Sequence, residues 1–389
     1  MNKSAHKIPD KKIVMLLSNP FDPDVRVLKE AQSLVNNGFS VTVIAWDREK
    51  KYPKFENVNG IFVERCQLKS TYGKGLGSLL EFLFFHIYLV LKLIRREINI
   101  IHCHDLDTLP AGFCLSKIKR CKIVYDAHEL EYFVTFPEFL RKMSKKSERF
   151  FSKRVNNIFV VNEIQRKKFY NFIEDRDKIT LIRNCPVSDF FVKVRDGDKK
   201  NATVVMGYVG YIQNGIGLET ALGIFDTLCE KFHHLELLLV GKIHPNFKTI
   251  FEGLIANSRN KEKIKIIGPV PYNEVIKYYQ RMDISFILYE NNHPQYRYNS
   301  PTKFYEAMAL GIPVVVTQIG DVQEIIEACQ CGVVVDAEDR KKILETFGTL
   351  IEDANIRNQM GQRGHLYAKE NFRWEIMETR LLEVYSRIE

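Results

Sequence analysis

Several signatures of common enzyme classes are missing from this chain of 389 residues. After the first predicted strand the sequence reads SNPFDPDVR instead of the GxGxxG that cradles a dinucleotide, which argues against a nicotinamide-dependent dehydrogenase. It has no Walker sequence, no GxSxG and no HExxH, so P-loop, α/β-hydrolase and zincin chemistry are not indicated. The eight cysteines form no CxxC pair and predict reduced thiols in the cytoplasm. MNKSAHKIPDKK lacks an apolar stretch, so we expect no secretory signal.

Acidic residues are scarce in the first half of the chain. Residues 1–195 carry 35 Lys and Arg against 22 Asp and Glu, a net charge of +13, whereas residues 196–389 carry 22 against 26, a net charge of −4. With 45% hydrophobic and 27% charged residues overall, the chain has the balance of a globular protein with buried cores. The lopsided charge suggests two domains that face different partners.

Short Val- and Ile-rich runs alternate with helical patterns along both halves. Seven strands are predicted before residue 195 and six after it, several of them apolar throughout, as in parallel sheets covered on both faces. The sequence therefore predicts an α/β protein with two doubly wound parallel-sheet domains. We place them at 1–195 and 196–372, divided by a polar stretch near 189–201, with a final amphipathic helix over 373–389.

Two segments are unusual for such domains. Leu76 to Ile94 is rich in aromatic and aliphatic residues but carries charges, so we expect a buried or partner-facing helix, with membrane-surface contact as the alternative. Glu138 to Arg154 predicts a basic amphipathic helix. It suits either an anionic membrane surface or an ordinary solvated face, and the sequence leaves both open. No nucleic-acid reader motif accompanies these charges, and we expect no nucleic-acid partner.

The most informative run is YNSPTKFYEAMALG at 298–311. Asn299 or Ser300 is a suitable N-cap, and Pro301 suits the first helical position. The start of a helix presents unpaired N–H groups that attract phosphate, and a cation such as Lys303 is disfavoured there unless an anion lies between them. Glu306 follows on the same face and is placed to accept hydrogen bonds from ribose hydroxyls. A capped helix with a surface Lys–Glu pair is the plainer alternative.

These motifs, taken together, resemble the retaining family 4 (group 1) glycosyltransferases of GT-B fold. The similarity covers nearly the whole chain: EAQSLVNNGFSVTVI, IHCHD, YDAHE, GYVGYIQNGIGLETAL, IIGPVPYNEVIKYYQRMDISFIL, SPTKFYEAMALGIPVVVT and FRWEIMETRLLEVY. The resemblance implies a nucleotide-sugar site in the second domain, an acceptor site in the first, and chemistry in the cleft between them. It also implies that the final helix packs back on the first domain.

The resemblance assigns candidate residues to three roles. His128 and Lys303 are the candidate catalytic residues. The candidate donor-binding residues are Gly210, Tyr211, Lys242, Pro269, Val270, Arg297, Tyr298, Asn299, Ser300, Pro301, Thr302, Lys303 and Glu306. The candidate acceptor-side residues are Asp24, Arg26, His104 and Asp105.

The sequence departs from the family at three positions. Tyr298 stands where the family often has the first of two glutamates, and Tyr211 and Ile216 stand where it tends to have Arg and Lys that grip the diphosphate. Lys303, helped by Arg297 or Lys242, must then neutralise the leaving group. The departures also fit an inactive relative that serves as a binding or scaffolding subunit.

We expect metal-independent, retaining transfer of a hexose from a nucleotide sugar, with UDP preferred over GDP, and no cofactor. The expected acceptor is a glycan or lipid-linked glycan of bacterial surface-polysaccharide synthesis, reached from the cytoplasm at the inner face of the membrane. A sugar-nucleotide epimerase of the same fold is a rival, but the sequence does not point to the acid–base carboxylates that it would need.

Overall fold

The computed structural model describes residues 11–22, 24–70, 77–128, 137–192, 203–290 and 296–388, with the side chains of 77–79 and 297 left out. The chain forms two compact units: unit 1 is Met1–Ile182 with Glu378–Glu389, and unit 2 is Arg183–Met377. The division precedes the expected boundary at 195 because residues after Ile182 bond within unit 2. The Trp374 amide, for example, donates to Pro186 O.

Unit 1 is built on a sheet of eight strands within the described residues, in the order β3-β4-β2-β1-β5-β6-β7-β8. All neighbouring pairs are parallel except β3 and β4. The strands are β1 (Lys12–Leu16), β2 (Ser40–Trp46), β3 (Phe55–Val58), β4 (Ile61–Cys66), β5 (Ile100–His104), β6 (Lys122–Ala127), β7 (Asn157–Val160) and β8 (Ile179–Leu181).

The helices of unit 1 are divided between the two faces of this sheet. They are α1 (Val25–Asn36), α2 (Gly77–Leu93), α3 (Asp105–Lys119), α4 (Glu138–Ser152) and α5 (Glu163–Tyr170). From β4 onward the chain adds strands in one direction, and right-handed crossovers therefore place α2 to α5 on one face and α1 on the other. Among the described residues, none of the helices combines the length and apolar character needed to cross a bilayer.

Unit 2 repeats the plan with a parallel sheet ordered β11-β10-β9-β12-β13-β14. Its strands are β9 (Val204–Val209), β10 (Leu235–Val240), β11 (Ile264–Ile267), β12 (Ile284–Ile287), β13 (Val314–Thr317) and β14 (Gly332–Val335). Its helices are α6 (Leu218–Lys231), α7 (Lys248–Asn257), α8 (Val275–Tyr279), α9 (Thr302–Ala309), α10 (Val322–Cys329), α11 (Arg340–Glu352) and α12 (Ala354–Asn371), followed by α13 (Trp374–Arg387), which ends in unit 1.

Both sheets have a point at which the strand order reverses. In unit 1 the chain winds outward from β1 through β2 and then returns to add β5 beside β1. In unit 2 it winds outward from β9 through β10 and returns to add β12 beside β9. The loops at the carboxyl ends of the two central strands then part in opposite directions and leave a crevice, which is where ligands bind in folds of this kind.

Two local features differ from the sequence-based expectation. The antiparallel strand β3 was not predicted, although Asn59 and Gly60, both with positive φ, form the two-residue Asn-Gly turn that joins it to β4. The predicted cap at Asn299 or Ser300 is wrong, because α9 begins at Thr302 with Pro301 itself in the cap position. Pro301 has an extended backbone and cannot cap with its side chain, so buried loop contacts must fix this helix start.

Close backbone approach in unit 2 makes Gly361 of α12 irreplaceable. A Cβ on Gly361 would lie 2.0 Å from the carbonyl oxygen of Gly311, whereas one on Gly348 of α11 would meet no atom within 4 Å. We expect Gly361→Ala to lower the free energy of unfolding by about 2 kcal/mol or more. Gly348→Ala is expected to raise it by up to about 1 kcal/mol through helix propensity. Equal thermal unfolding midpoints for the two variants would contradict this packing.

Candidate active site

Lys303 lies in the first turn of α9 and reaches the point where the strand order of unit 2 reverses. Its Nζ donates to Tyr208 Oη at 2.8 Å and to Tyr289 Oη at 3.0 Å. Tyr208 belongs to β9, and Tyr289 follows β12, so one ammonium joins the two central strands. Burial acts to lower the pKa of Lys303, but the two tyrosine oxygens outweigh it and hold that pKa above its ordinary value. The side chain is therefore a fixed cation.

Two glycines keep the backbone close around this ammonium. A Cβ on Gly210, directly after β9, would lie 2.8 Å from Lys303 Nζ. A Cβ on Gly241, directly after β10, would lie 1.9 Å from the carbonyl oxygen of Gly210. Both have φ of +142°, a conformation that favours glycine. A side chain at Gly210 would therefore crowd the Lys303 head group, and a side chain at Gly241 would crowd the Gly210 backbone.

Glu306 is buried one turn further along α9, with its carboxylate held by tyrosine. Tyr279 Oη donates to Glu306 Oε2 at 3.0 Å. Burial and then the charge of Glu306 raise the pKa of the Tyr272 hydroxyl, which follows the predicted Pro269–Val270 loop by two residues. Glu306 is thus positioned by groups outside its own helix, and the loop after β11 lies within its electrostatic reach.

The loop before α9 is held in place by buried hydrogen bonds. Ser300 is buried, its Oγ lies 3.1 Å from Tyr305 Oη, and its carbonyl accepts a hydrogen bond from Asn184 Nδ2 at 2.9 Å. Arg183 donates to Tyr305 Oη at 3.1 Å and to both oxygens of Asp321 at 3.0 and 2.6 Å. The buried Arg183–Asp321 ion pair, which also contacts Tyr305 of α9, fixes the start of this helix. It therefore also fixes the position of Lys303.

The other predicted donor-binding residues are less closely organised. Pro301 is buried, and Tyr298, Asn299 and Thr302 are half-buried in the same loop. Tyr211 and Lys242 are exposed after β9 and β10, and the Tyr211 ring packs edge-on to His244 at 5.7 Å. Pro269 is exposed and Val270 half-buried after the edge strand β11. The side chain of Arg297 lies outside the described residues.

In unit 1, Arg26 of α1 is buried in a two-pronged ion pair with Asp126 of β6. The two N–O distances are 2.8 and 2.7 Å, and a third donor of Arg26 reaches Ile182 O at 2.8 Å. Burial acts to raise the pKa of Asp126, but Arg26, His128 and a hydrogen bond with His104 together hold that pKa well below its ordinary value. The predicted acceptor-side residue Arg26 is therefore a structural centre of this unit.

A layer of buried polar side chains surrounds this ion pair. His102 and His104 stack at 4.3 Å on the same face of β5, and Tyr385 of α13 lies 2.7 Å from His102 Nδ1. Glu30 lies 3.1 Å from Arg26 and 3.8 Å from His102. Burial and then the charge of Asp126 raise the pKa of Glu30, which favours its protonated form.

Four residues of this layer could hold a metal ion: Glu30, His102, His104 and Asp126 offer ligand atoms within 4.8 Å of one another. A cation ligated there would compete with Arg26, whose guanidinium already holds both oxygens of Asp126. We therefore interpret the cluster as a polar network built around Arg26, and the expectation of no metal site stays a prediction.

His128 directly follows β6 and lies beside the predicted acceptor-side residue Asp105. Its Nε2 lies 3.3 Å from Asp105 Oδ2, and its ring packs edge-on to His104 at 5.7 Å. Burial lowers the pKa of His128 to about 4, more than the nearby Asp126 carboxylate raises it. Asp105 has φ of +65° at the start of α3, a strained backbone of the kind often found at functional sites. Asp24, also predicted here, caps α1 by accepting from Val27 N at 3.2 Å.

Comparisons with known proteins agree with this two-unit geometry. The family model described as glycosyl transferases group 1 matches residues 189–366, and the model described as glycosyltransferase family 4 matches residues 24–185. The chain belongs to the group 1, family 4 glycosyltransferases. A D-inositol 3-phosphate glycosyltransferase from Corynebacterium efficiens is 23% identical over 76% of this chain and 74% of that protein.

Solved structures place this glycosyltransferase in the GT-B fold. Sucrose-phosphate synthase from Thermosynechococcus elongatus matches with a TM-score of 0.79 and 17% identity, over 97% of this chain and 99% of that one. HepE from Anabaena, solved in complex with UDP-glucose, matches with a TM-score of 0.73 and 15% identity, over 97% and 99% of the two chains. The expected fold class, two parallel-sheet α/β domains, is confirmed.

In this glycosyltransferase, sequence reasoning missed several members of the buried polar layer around Arg26. It also missed the tyrosines that contact Lys303 and Glu306. His102 and Asp126 were detectable, because period-two alternation puts them on the same sheet face as His104 and His128. Glu30 was likewise detectable, because it follows the predicted residue Arg26 by four positions on one helix face. The tyrosine partners of Lys303 and Glu306 come from separate strands and helices, and only the folded sheet brings them together.

The low pKa of His128 predicts a pH dependence of stability. The imidazole takes up a proton near pH 6.5 in the unfolded chain but near pH 4 in the folded one. Between these values the unfolded state binds more protons, so the free energy of unfolding falls as the pH drops from 6.5 to 4, by up to about 1.4 kcal/mol per pH unit for one group. His128→Gln should flatten this slope in urea unfolding measured across that range. An unchanged slope would contradict the burial of a neutral imidazole.

Proposed function

We propose that this glycosyltransferase moves a hexose, with retention of configuration, from a UDP-sugar to a hydroxyl of a glycan or lipid-linked glycan. The observation that carries the proposal is Lys303, a cation fixed by two tyrosines in the first turn of α9, where strand order reverses. A diphosphate is the ligand that suits a fixed ammonium, helix N–H groups and bare glycine backbone in one place.

Glu306 provides the second point of donor recognition. Its carboxylate is buried on the helix that carries Lys303 and keeps a fixed orientation through Tyr279. A carboxylate is a natural partner for the two hydroxyls of a ribose, and a spacing of three residues sets it one turn from the ammonium. We propose that Glu306 binds the ribose while Lys303 binds the diphosphate of the same nucleotide.

The proposed step breaks the bond between the anomeric carbon and the diphosphate oxygen. The electron pair leaves with the diphosphate, and Lys303 and the N–H groups of α9 stabilise the growing negative charge. The acceptor hydroxyl forms the new bond on the face that the diphosphate leaves, and its proton passes to the departing phosphate oxygen. The transition state is oxocarbenium-like, so charge placement matters more than a nucleophilic carboxylate.

We propose that His128 acts in this step as a neutral hydrogen-bonding group. A pKa near 4 leaves the imidazole uncharged at neutral pH, so it orients a sugar hydroxyl or phosphate oxygen without adding charge. Asp105, 3.3 Å away, limits the rotation of the ring and is a positioning residue in this scheme. The surrounding structure must hold Asp105 in its strained conformation, with φ of +65°.

A second candidate function is donor binding without turnover. The family's two extra cations are replaced by the exposed Tyr211 and the buried Ile216, and its first glutamate by Tyr298. A binding subunit of this kind would retain nucleotide affinity through Lys303 and Glu306 but release no free nucleotide from a UDP-sugar. Accumulation of UDP during incubation with donor therefore separates the two functions.

The proposal predicts a strong dependence of turnover on Lys303. Lys303→Ala should lower kcat by about 100-fold or more, because it removes the principal cation facing the leaving group. The matched control is Lys277→Ala, which removes an exposed ammonium of α8 that pairs only loosely with Glu274 at 3.6 Å. Both variants are compared by UDP release and by thermal unfolding. A folded Lys303→Ala protein with unchanged kcat would remove this residue from the mechanism.

Charge stabilisation by Lys303 also predicts that the reaction needs no divalent cation. Turnover of the purified protein should stay within about twofold when Mg²⁺ is replaced by excess EDTA, because the ammonium and helix dipole carry the role that a metal plays elsewhere. Loss of turnover in EDTA, restored by Mg²⁺ or Mn²⁺, would show that a metal ion is required.

A further inference from the structure

Helix α2 exposes an apolar stripe that nothing in unit 1 covers within the described residues. Leu80, Leu83, Phe84, Ile87 and Leu91 recur at helical spacing and are 44–68% exposed. Between Leu80 and Leu93 they are the only exposed side chains of the helix. The outer face of a surface helix is ordinarily polar, and a contiguous apolar stripe marks an interaction surface.

The stripe is separate from the side of α2 that packs on the sheet. Phe85, Leu89 and Leu93 form that inner side, and Phe85 stacks on Trp46 at 4.3 Å. The helix is thus fixed in unit 1 by one apolar side while it presents a second to the surroundings. Of the seventeen large apolar side chains exposed in the described part of the chain, thirteen lie in unit 1, so the asymmetry belongs to this unit.

Helix α4 carries the same pattern with added positive charge. Phe139, Met143 and Phe150 are exposed along one line of the helix. The basic residues Lys142, Lys145, Lys146 and Arg149 are exposed beside that line, followed by Lys153 and Arg154. Long basic side chains beside an apolar line can bury their stems while their charges stay at a polar boundary.

The two helices belong to one face of unit 1. Right-handed crossovers put α2, α3 and α4 on the same side of the sheet, and α3 packs against both neighbours. Between the two outer helices, α3 adds the exposed Lys117 and Ile118. We call the exposed side chains of these three helices the α2–α4 face.

We propose that the α2–α4 face docks unit 1 on an anionic lipid bilayer, with the α2 stripe inserted among the acyl chains and the α4 cations against the headgroups. Apolar area combined with flanking positive charge is the composition of an interfacial membrane site. A second copy of this chain is disfavoured as the occupant, because a two-fold interface would bring the basic residues of both copies into one contact. The link to catalysis rests on the proposed function, since a lipid-linked acceptor would then be presented at the docked surface.

Flotation with lipid vesicles tests the docking surface. The full chain should float with phosphatidylcholine vesicles that contain phosphatidylglycerol but not with phosphatidylcholine alone, and added salt should weaken the binding. The triple variant Leu83→Ser, Phe84→Ser, Ile87→Ser and the double variant Lys145→Glu, Lys146→Glu should each lower the partition coefficient by about tenfold or more. The matched controls in unit 2, Ile250→Ser with Leu366→Ser and Lys248→Glu with Lys277→Glu, should leave it unchanged.

Each contrary outcome has a distinct meaning. Absence of binding to phosphatidylglycerol vesicles, or a triple variant that binds like the parent, would overturn the proposal. A parent that is dimeric by light scattering, with a monomeric triple variant, would show that the α2–α4 face is a subunit interface and would also overturn it. UDP release from a UDP-sugar is measured in the same variants and should not change. A parent protein that binds vesicles but releases no UDP would contradict the proposed function and would still support the docking surface.

Discussion

Both units depend on one topological constraint, which is that parallel strands are added in opposite directions from a central pair. In unit 2 the central strands are β9 and β12, and in unit 1 they are β1 and β5. Loops that part from neighbouring strands leave backbone groups uncovered at the carboxyl edge. Lys303 reaches that edge in unit 2, and His104 and Asp105 lie at that edge in unit 1, directly at the end of β5. The position of each candidate site therefore follows from the order in which the chain adds strands to the sheet.

Buried charge is held in two ways, as ion pairs in both units and as a cation among hydroxyl groups at Lys303. In unit 1 the Arg26 guanidinium is matched by Asp126, so the pair is neutral within the core, and α1 is tied to β6. In unit 2, within the part of the chain that the structure describes, the Lys303 ammonium donates to the hydroxyl oxygens of Tyr208 and Tyr289, so its charge is held in place without being neutralised. An ion pair of the first kind fixes how its elements pack, whereas a cation of the second kind remains able to attract an anion. This contrast separates the ion-paired Arg26 and Arg183 from Lys303, the candidate catalytic cation.

The sequence alone predicted the fold class and most of the strands, because parallel strands covered on both faces read as continuous apolar runs. It missed β3 although the Asn59–Gly60 turn signals a hairpin, and it misplaced the cap of α9. Side chains that motifs carry, such as Lys303 and Glu306, were predictable from local spacing. Their tyrosine partners lie as far as 95 residues away in sequence, and a pairing at that distance is set by tertiary structure. The exposure of the α2 stripe could not be predicted either, because an apolar helix has the same sequence pattern whether one of its sides or both are covered.

The proposed mechanism requires that Lys303 binds the diphosphate of the donor. Calorimetric titration of the parent protein and Lys303→Met with UDP and with uridine measures this contact directly. The parent should bind UDP at least about 100-fold more tightly than uridine, and the substitution should remove most of that preference while leaving uridine affinity within about twofold. An undiminished preference for UDP in a folded Lys303→Met protein would contradict the central claim.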